Sequence, residues 1–591
     1  MIGLLTSLFV GAAAATSLSK ACTEDFVKSK LPTSDDKIPL GITIDDSSIT
    51  ANVYRNYSVT GATFWENVNI DFCEVSFAYS HDNLDDRIVV EYWMPLAENF
   101  QNRFLATGGA AYQISNGSGG ADMSGGIAYG AVTGLTDGGL PHWGSTDFDD
   151  VVLLGNGTAN WPAIYNFAYQ AIGEMTAIGK VFTKNYFGLS SGASTESSEK
   201  VYTYYMGCSE GGREGMSQVQ KSPDLYDGII AGAPAMRYGQ QQVNHIAPPI
   251  QIQTIGHYPP SCVFDTVINA TINACDKLDG KADGVVSRTD LCLLKFNVSS
   301  MIGESYSCAA SSESSLGLGY GKRKRADSST TPAQNGTISA KDIEVIQDLL
   351  TGLKDSNGDR VYLPFQPAAG FGDTTTYDSD TDSWGIESPN SNGEWVTKFL
   401  NWQNVSSLVM TDVTNDNLKA WMIEGMNKYM DSLQTTLPDL TPFLENGGKL
   451  LHYHGEADTS IPTTGSIRYH ESVRKIMYPG LSFEEGNKKL NEWYRLYLIP
   501  GAAHCATNSA QPNAGFPRDN FNHLIQWVED GITPTTINAT VQSGSREGEV
   551  QDVCTWPSRP YYKNGTLVCQ ENQSSVKAML WDLPAYKMPV Y

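Results

Sequence analysis

The sequence predicts an α/β fold carrying a large insertion, and three observations predict it. Strand–turn–helix units stand on both sides of the chain's middle, near 201–235 and 447–531. The middle, roughly 236–440, loses that rhythm and holds acidic loops and four cysteines. A serine sits at one strand end, and a carboxylate and an imidazole sit at the ends of two later strands. At 591 residues, the chain is too long for one small core.

Residues 1–19 open with the apolar run "IGLLTSLFVGAAAA" and then small residues, the pattern of a signal peptide. Ten cysteines and ten Asn-x-Ser/Thr acceptors, from Asn56 to Asn572, point to a secreted, extracellular, disulfide-bonded glycoprotein. The net charge of −25 and pI near 4.7 argue against nucleic acid or an anionic membrane as partner.

Residues 20–235 read as the first part of a catalytic domain. "GITIDD", "ITANVYRNYSV", "RIVVEYWMP" and "NRFLATGG" are strand runs separated by turn residues. From 161 to 188 the spacing turns helical, with Ile164, Ala168, Ile172, Met175 and Ile178 on one face. "VYTYYMGCSEGGREGMSQVQKSP" is a strand, a Gly-rich turn and a helix ending before Pro223, and "YDGIIAGAPA" is another buried strand. Residues 236–440 read as a lid domain. Its Ser/Thr-rich stretch near 310–335 contains the basic quartet 322–325, a processing site with cleavage expected after Arg325. Residues 441–591 complete the catalytic domain with strands "KLLHYHGEA" and "WYRLYLIP" and the helix "FNHLIQWVED".

Ser209 lies in Gly207-Cys208-Ser209-Glu210-Gly211, between a strand and a helix. That setting is a nucleophile elbow, where glycines allow a strained backbone and close strand–helix approach. A serine hydroxyl needs a base. His504, after a late strand, is the candidate; the other eight histidines lack such a setting. Asp458, after the preceding strand, is the candidate acid, with Glu456 its rival. Chain order Ser, acid, His and a strand-ending nucleophile are those of an α/β-hydrolase core. The N–H of Glu210 is a candidate oxyanion donor, and Gly109 in "ATGGAA" is the candidate second one. If Ser209 meets His504, their neighbours Cys208 and Cys505 meet too. A disulfide between them would close a very long loop and contribute roughly 5 kcal/mol in the chain-entropy picture.

Cys208-Ser209, Asp458 and His504-Cys505, together with "GCSEGGREGM" and "YDGIIAGAPA", resemble the fungal tannase/feruloyl esterase family over most of the chain. The resemblance implies an α/β-hydrolase core with the lid inserted between nucleophile and acid. It implies a structural calcium in "CDKLDGKADGVV", with Asp276, Asp279 and Asp283 side chains and Lys281 and Val285 carbonyls as ligands. No organic cofactor is expected. It also implies the pairs Cys22–Cys73, Cys262–Cys308, Cys275–Cys292 and Cys554–Cys569, so that only Cys208–Cys505 would join two chains cut at Arg325. The expected activity is hydrolysis of galloyl ester and depside bonds in plant polyphenols, with the lid binding the polyhydroxylated ring. A feruloyl or chlorogenate esterase is the alternative. An inactive polyphenol- or glycan-binding protein and a serine carboxypeptidase stand further off, and a homo-oligomer is compatible with the sequence.

Overall fold

The computed structural model describes residues 17–33, 36, 38–115, 121–140, 148–189, 200–310, 331–372, 374–386 and 393–591. The apolar run up to residue 16 and the basic quartet ending at Arg325 lie outside them.

Nine strands form one mixed sheet: β1 Ile42–Val59, β2 Val68–His81, β3 Ile88–Pro95, β4 Arg103–Thr107, β5 Ala131–Thr136, β6 Tyr202–Cys208, β7 Gly228–Gly232, β8 Lys449–Gly455 and β9 Tyr494–Ile499. Their spatial order is β1-β2-β3-β5-β4-β6-β7-β8-β9. Strands β1, β2, β3 and β5 pair antiparallel. From β5 through β4, β6, β7 and β8 to β9, every pairing is parallel. The carboxyl ends of the parallel strands therefore point one way, the edge where open α/β sheets bind ligands.

Buried residues of these strands alternate between two cores, as the period of two requires. Tyr205, Ile229 and Leu450 join Met175 and Met216 on one face. Tyr204, Ile230 and Leu451 join Phe521 and Leu524 on the other. The first face is covered by helices α1 (Ala171–Phe187) and α2 (Glu210–Lys221). The second is covered by α4 (Asn520–Glu529), while α3 (Thr463–Met477) packs on β8 and β9. Ile164, Ala168, Ile172, Met175 and Ile178 are all buried. Their helix is not uniform, however: a π turn spans Asn166–Gln170. There the carbonyls of Phe167 and Ala168 accept hydrogen bonds from the buried Arg213 guanidinium.

The runs read as two strands at 41–46 and 49–59 form the single strand β1, with register shifts inside it. Among the described residues, the main sheet takes no strand between Gly232 and Lys449. That stretch contributes helices and two-stranded ribbons instead.

Glu91, in the middle of β3, is buried and accepts the indole N–H of Trp93. Burial pushes its carboxyl up to about 7, and the Glu74 carboxylate adds to this. Above its unfolded pKa, near 4.5, the unfolded chain has lost a proton that the folded chain keeps, so stability falls as pH rises through that window. At about 1.4 kcal/mol per unit, the upper bound is about 3 kcal/mol. Glu91→Gln is expected to raise Tm at pH 7 and leave it nearly unchanged at pH 4. Equal effects at both pH values would refute this assignment.

Candidate active site

Ser209 connects β6 to α2 with φ 65° and ψ −120°. A non-glycine residue rarely adopts such a conformation, and it persists only where the surroundings enforce it. They do so here. The Ser209 N–H donates to Gly232 O at 3.0 Å, and Ser209 O accepts from the N–H groups of Arg213 and Ala235. The glycines have steric reasons. A Cβ on Gly207 would lie 2.6 Å from Gly211 C, and one on Gly212 would lie 2.1 Å from Gly232 O.

His504 follows β9 and Asp458 follows β8. His504 Nε2 lies 2.9 Å from Ser209 Oγ, and His504 Nδ1 lies 2.7 Å from Asp458 Oδ2. The three side chains are buried. Asp458 Oδ1 accepts the N–H groups of Ser460 and Ile461, each at 2.8 Å. Burial alone would raise the Asp458 carboxyl. The His504 charge and the hydrogen bonds from His454 and His504 outweigh it and hold the group well below the usual carboxylate range. Asp458 is therefore ionised at any pH where His504 can act. Its rival Glu456 faces elsewhere and is bound by Arg559 Nη2 at 2.6 Å and the Thr289 hydroxyl.

Cys208 and Cys505 are bonded, with Cα atoms 6.1 Å apart. The other four pairs are Cys22–Cys73, Cys262–Cys308, Cys275–Cys292 and Cys554–Cys569. Cys505 also has positive φ, 51°. The bond thus ties the end of β6, next to Ser209, to the positive-φ residue that follows His504.

One expectation needs correction. Gly109 lines the pocket beside Ser209, but its N–H donates to Glu214 Oε2 at 3.1 Å, and its carbonyl accepts Gly211 N–H. Both backbone groups of Gly109 are spent on α2, so its N–H is not offered to an oxyanion. The N–H of Glu210, first in α2, has no partner within the helix and remains the candidate donor. The pocket itself, about 360 Å³, is lined by residues such as Phe64, Trp65, Gln113, Asp122 and Ala506. Among the described residues, none of its lining comes from 236–440.

In the acidic turn, Asp276 Oδ1 accepts the N–H groups of Asp283 and Gly284, and Asp283 Oδ2 is paired with the Lys281 ammonium. Asp279 is buried, with its Oδ2 lacking a hydrogen bond, and burial pushes it up to about 6. Among the described residues no three acidic, His or Cys side chains converge on a metal by themselves. A cation here would use the orphaned Asp279 oxygen, its acidic neighbours and the Lys281 and Val285 carbonyls. The donor set is all oxygen, which suits calcium.

The profile described as tannase and feruloyl esterase matches residues 73–576. The chain is 48% identical over 599 residues to a tannase from Aspergillus oryzae, with 99% of each covered. It is 31% identical over 510 residues to a probable feruloyl esterase of Arthroderma benhamiae, covering 84% of each. Its structure is similar to a tannin acyl hydrolase from Aspergillus niger, with TM-score 0.90, 47% identity, and coverage of 98% of this chain and 100% of that one. Feruloyl esterase B from Aspergillus oryzae shares the fold at TM-score 0.66 and 21% identity, with 92% of this chain and 100% of that one covered. The chain belongs to the tannase and feruloyl esterase family.

Proposed function

We propose that the protein is a carboxylic ester hydrolase that cleaves galloyl ester and depside bonds of hydrolysable tannins and releases gallic acid. The observation that carries the chemistry is the unbroken hydrogen-bonded series Ser209–His504–Asp458 at three strand ends. Ser209 Oγ passes its proton to His504 Nε2 and attacks the acyl carbonyl. The oxyanion is met by the Glu210 N–H. His504 returns the proton to the departing alcohol, leaving a galloyl ester on Ser209. Water then gives its proton to the same imidazole and attacks the acyl carbon, and the imidazolium returns that proton to Ser209 Oγ as gallic acid leaves. Asp458 remains ionised throughout and stabilises the imidazolium.

The galloyl preference rests on the 48% identity to a tannase, against 31% to the probable feruloyl esterase. Parallel kcat/KM measurements on methyl gallate and methyl ferulate test it. At least about a tenfold preference for gallate is expected, roughly what one good contact to an extra hydroxyl supplies. A reversed ratio would make the chain a feruloyl esterase on the same machinery.

Calcium in the 276–285 turn would be structural, cross-linking a loop already closed by Cys275–Cys292, and supplies no step of the reaction. Secretion is read from the N-terminal apolar run and the sequons. Eight of the nine acceptor asparagines in the described residues are exposed and Asn538 is half-buried, as glycosylation requires. No helix among the described residues is long and apolar enough to cross a membrane.

A further inference from the structure

Asp458 receives a donor that His504 and the backbone do not account for. Its Oδ2 lies 3.0 Å from His454 Nε2 as well as 2.7 Å from His504 Nδ1. His454 lies on β8 beside His452, two residues apart and on one face of the strand. Ser466 of α3 bridges them: its Oγ is 2.7 Å from His454 Nδ1 and 2.7 Å from His452 Nε2. His452 Nδ1 is 2.9 Å from the Tyr494 hydroxyl on β9. All these side chains are buried.

The direction of every bond follows from the ends of the series. His454 Nε2 faces two acceptors, the Asp458 carboxylate and the Ile461 carbonyl at 3.0 Å, so it carries a hydrogen. A neutral imidazole protonated there accepts at Nδ1, so Ser466 donates to it. The Ser466 oxygen has then used its one hydrogen and accepts from His452 Nε2. His452 Nδ1 accepts from the Tyr494 hydroxyl. Burial holds His452 well below the ordinary imidazole range and Tyr494 well above the ordinary phenol range, consistent with neutral rings.

We infer that His454 is a positioning residue for the proposed acid. The series Tyr494–His452–Ser466–His454 aims one hydrogen at Asp458 Oδ2, fixing the carboxylate and moderating its pull on His504. This deepens the esterase reading and rests on it. Without that hydrogen the carboxylate shares its charge with one side-chain donor fewer. The imidazolium form of His504 is then better stabilised, and the acid limb of kcat/KM moves to higher pH. The other titratable and charged groups around the series are His245 beside His504 and Asp458, Tyr469, His470 and Arg474 from α3, and Arg237 near Tyr494. The substitutions below leave all of them in place.

The test compares His454→Leu, His454→Gln, Ser466→Ala and Ser209→Ala with the unaltered full chain. It uses p-nitrophenyl acetate as substrate over about pH 4 to 9, with thermal midpoints for each protein. His454→Leu keeps bulk without a donor and is expected to lower kcat/KM by about 10- to 100-fold, the scale on which supporting partners act. Its acid limb should rise by about half a unit. His454→Gln, whose amide nitrogen takes the place of Nε2, should recover most of both effects. Ser466→Ala should give a smaller loss with a shift of the same sign. The inference is overturned if Leu and Gln fall equally with an unmoved limb, or if Leu matches the unaltered chain. Should the Leu variant fail to fold, Ser466→Ala decides, and an unmoved limb overturns the inference. Turnover retained by Ser209→Ala would instead sink the esterase reading itself.

Discussion

Ser209→Ala is expected to lower ester hydrolysis by at least about ten-thousand-fold, and toward the million-fold seen when a serine nucleophile is removed elsewhere. Its cost to stability should be within about 1 kcal/mol. The serine oxygen bonds a buried imidazole that keeps its other partner, Asp458. Ala at φ 65° inherits the same backbone strain, so the elbow gains little by the change. Initial rates on methyl gallate, paired with a thermal melt, check both halves. A variant that melts as before and still turns over would place the chemistry elsewhere.

Replacing both Cys208 and Cys505 with Ala should remove roughly 5–6 kcal/mol in the chain-entropy picture, because the closed loop spans 297 residues. For a chain of this size that is about 5 °C in Tm. At 25 °C, where the protein is still folded, a loss of about 10- to 100-fold in kcat is expected as well. The bond ties Cys208, next to Ser209, to Cys505, next to His504, and so brackets their 2.9 Å contact. Small displacements of reacting groups carry losses of that order. If stability falls and kcat does not, the bond is only a staple for the fold. The same pair bears on processing: a chain cut after Arg325 would separate on a denaturing gel only after reduction.

The proposed triad was legible because each member stands just past an apolar strand, and strand ends are marked by glycine and proline. Gly207, Pro462 and Pro500 supply those marks. The 208–505 bond followed from adjacency to that pair. Strand β2 was not among the strands read from the sequence: Asn69, Asp71, Glu74 and Ser76 dilute its apolar pattern. In the fold they find cross-strand partners on β1, such as Arg55 for Asp71 and Thr50 for Ser76. Strand β5, "AVTGLT", is short and contains a glycine, and only burial between β3 and β4 makes it a central strand. The capture of Gly109 by Glu214 was equally hidden. It depends on α2 lying against the 108–109 turn, where a Cβ on Gly108 would come within 2.1 Å of Glu214 Oε2. His454 lies, by sequence, inside the strand run 449–457, away from its end. Its meaning comes from Ser466, contributed by the next helix and a different periodicity.

Strands β7 and β8 are immediate neighbours in the sheet, yet more than two hundred residues of chain separate them. A parallel crossover needs only about a dozen. The excursion therefore begins and ends at fixed points, and nothing in the register of the sheet depends on its length. Such a junction is a natural grafting site. The intervening segment can be lengthened, shortened or exchanged while the strands that carry the reacting groups keep their register.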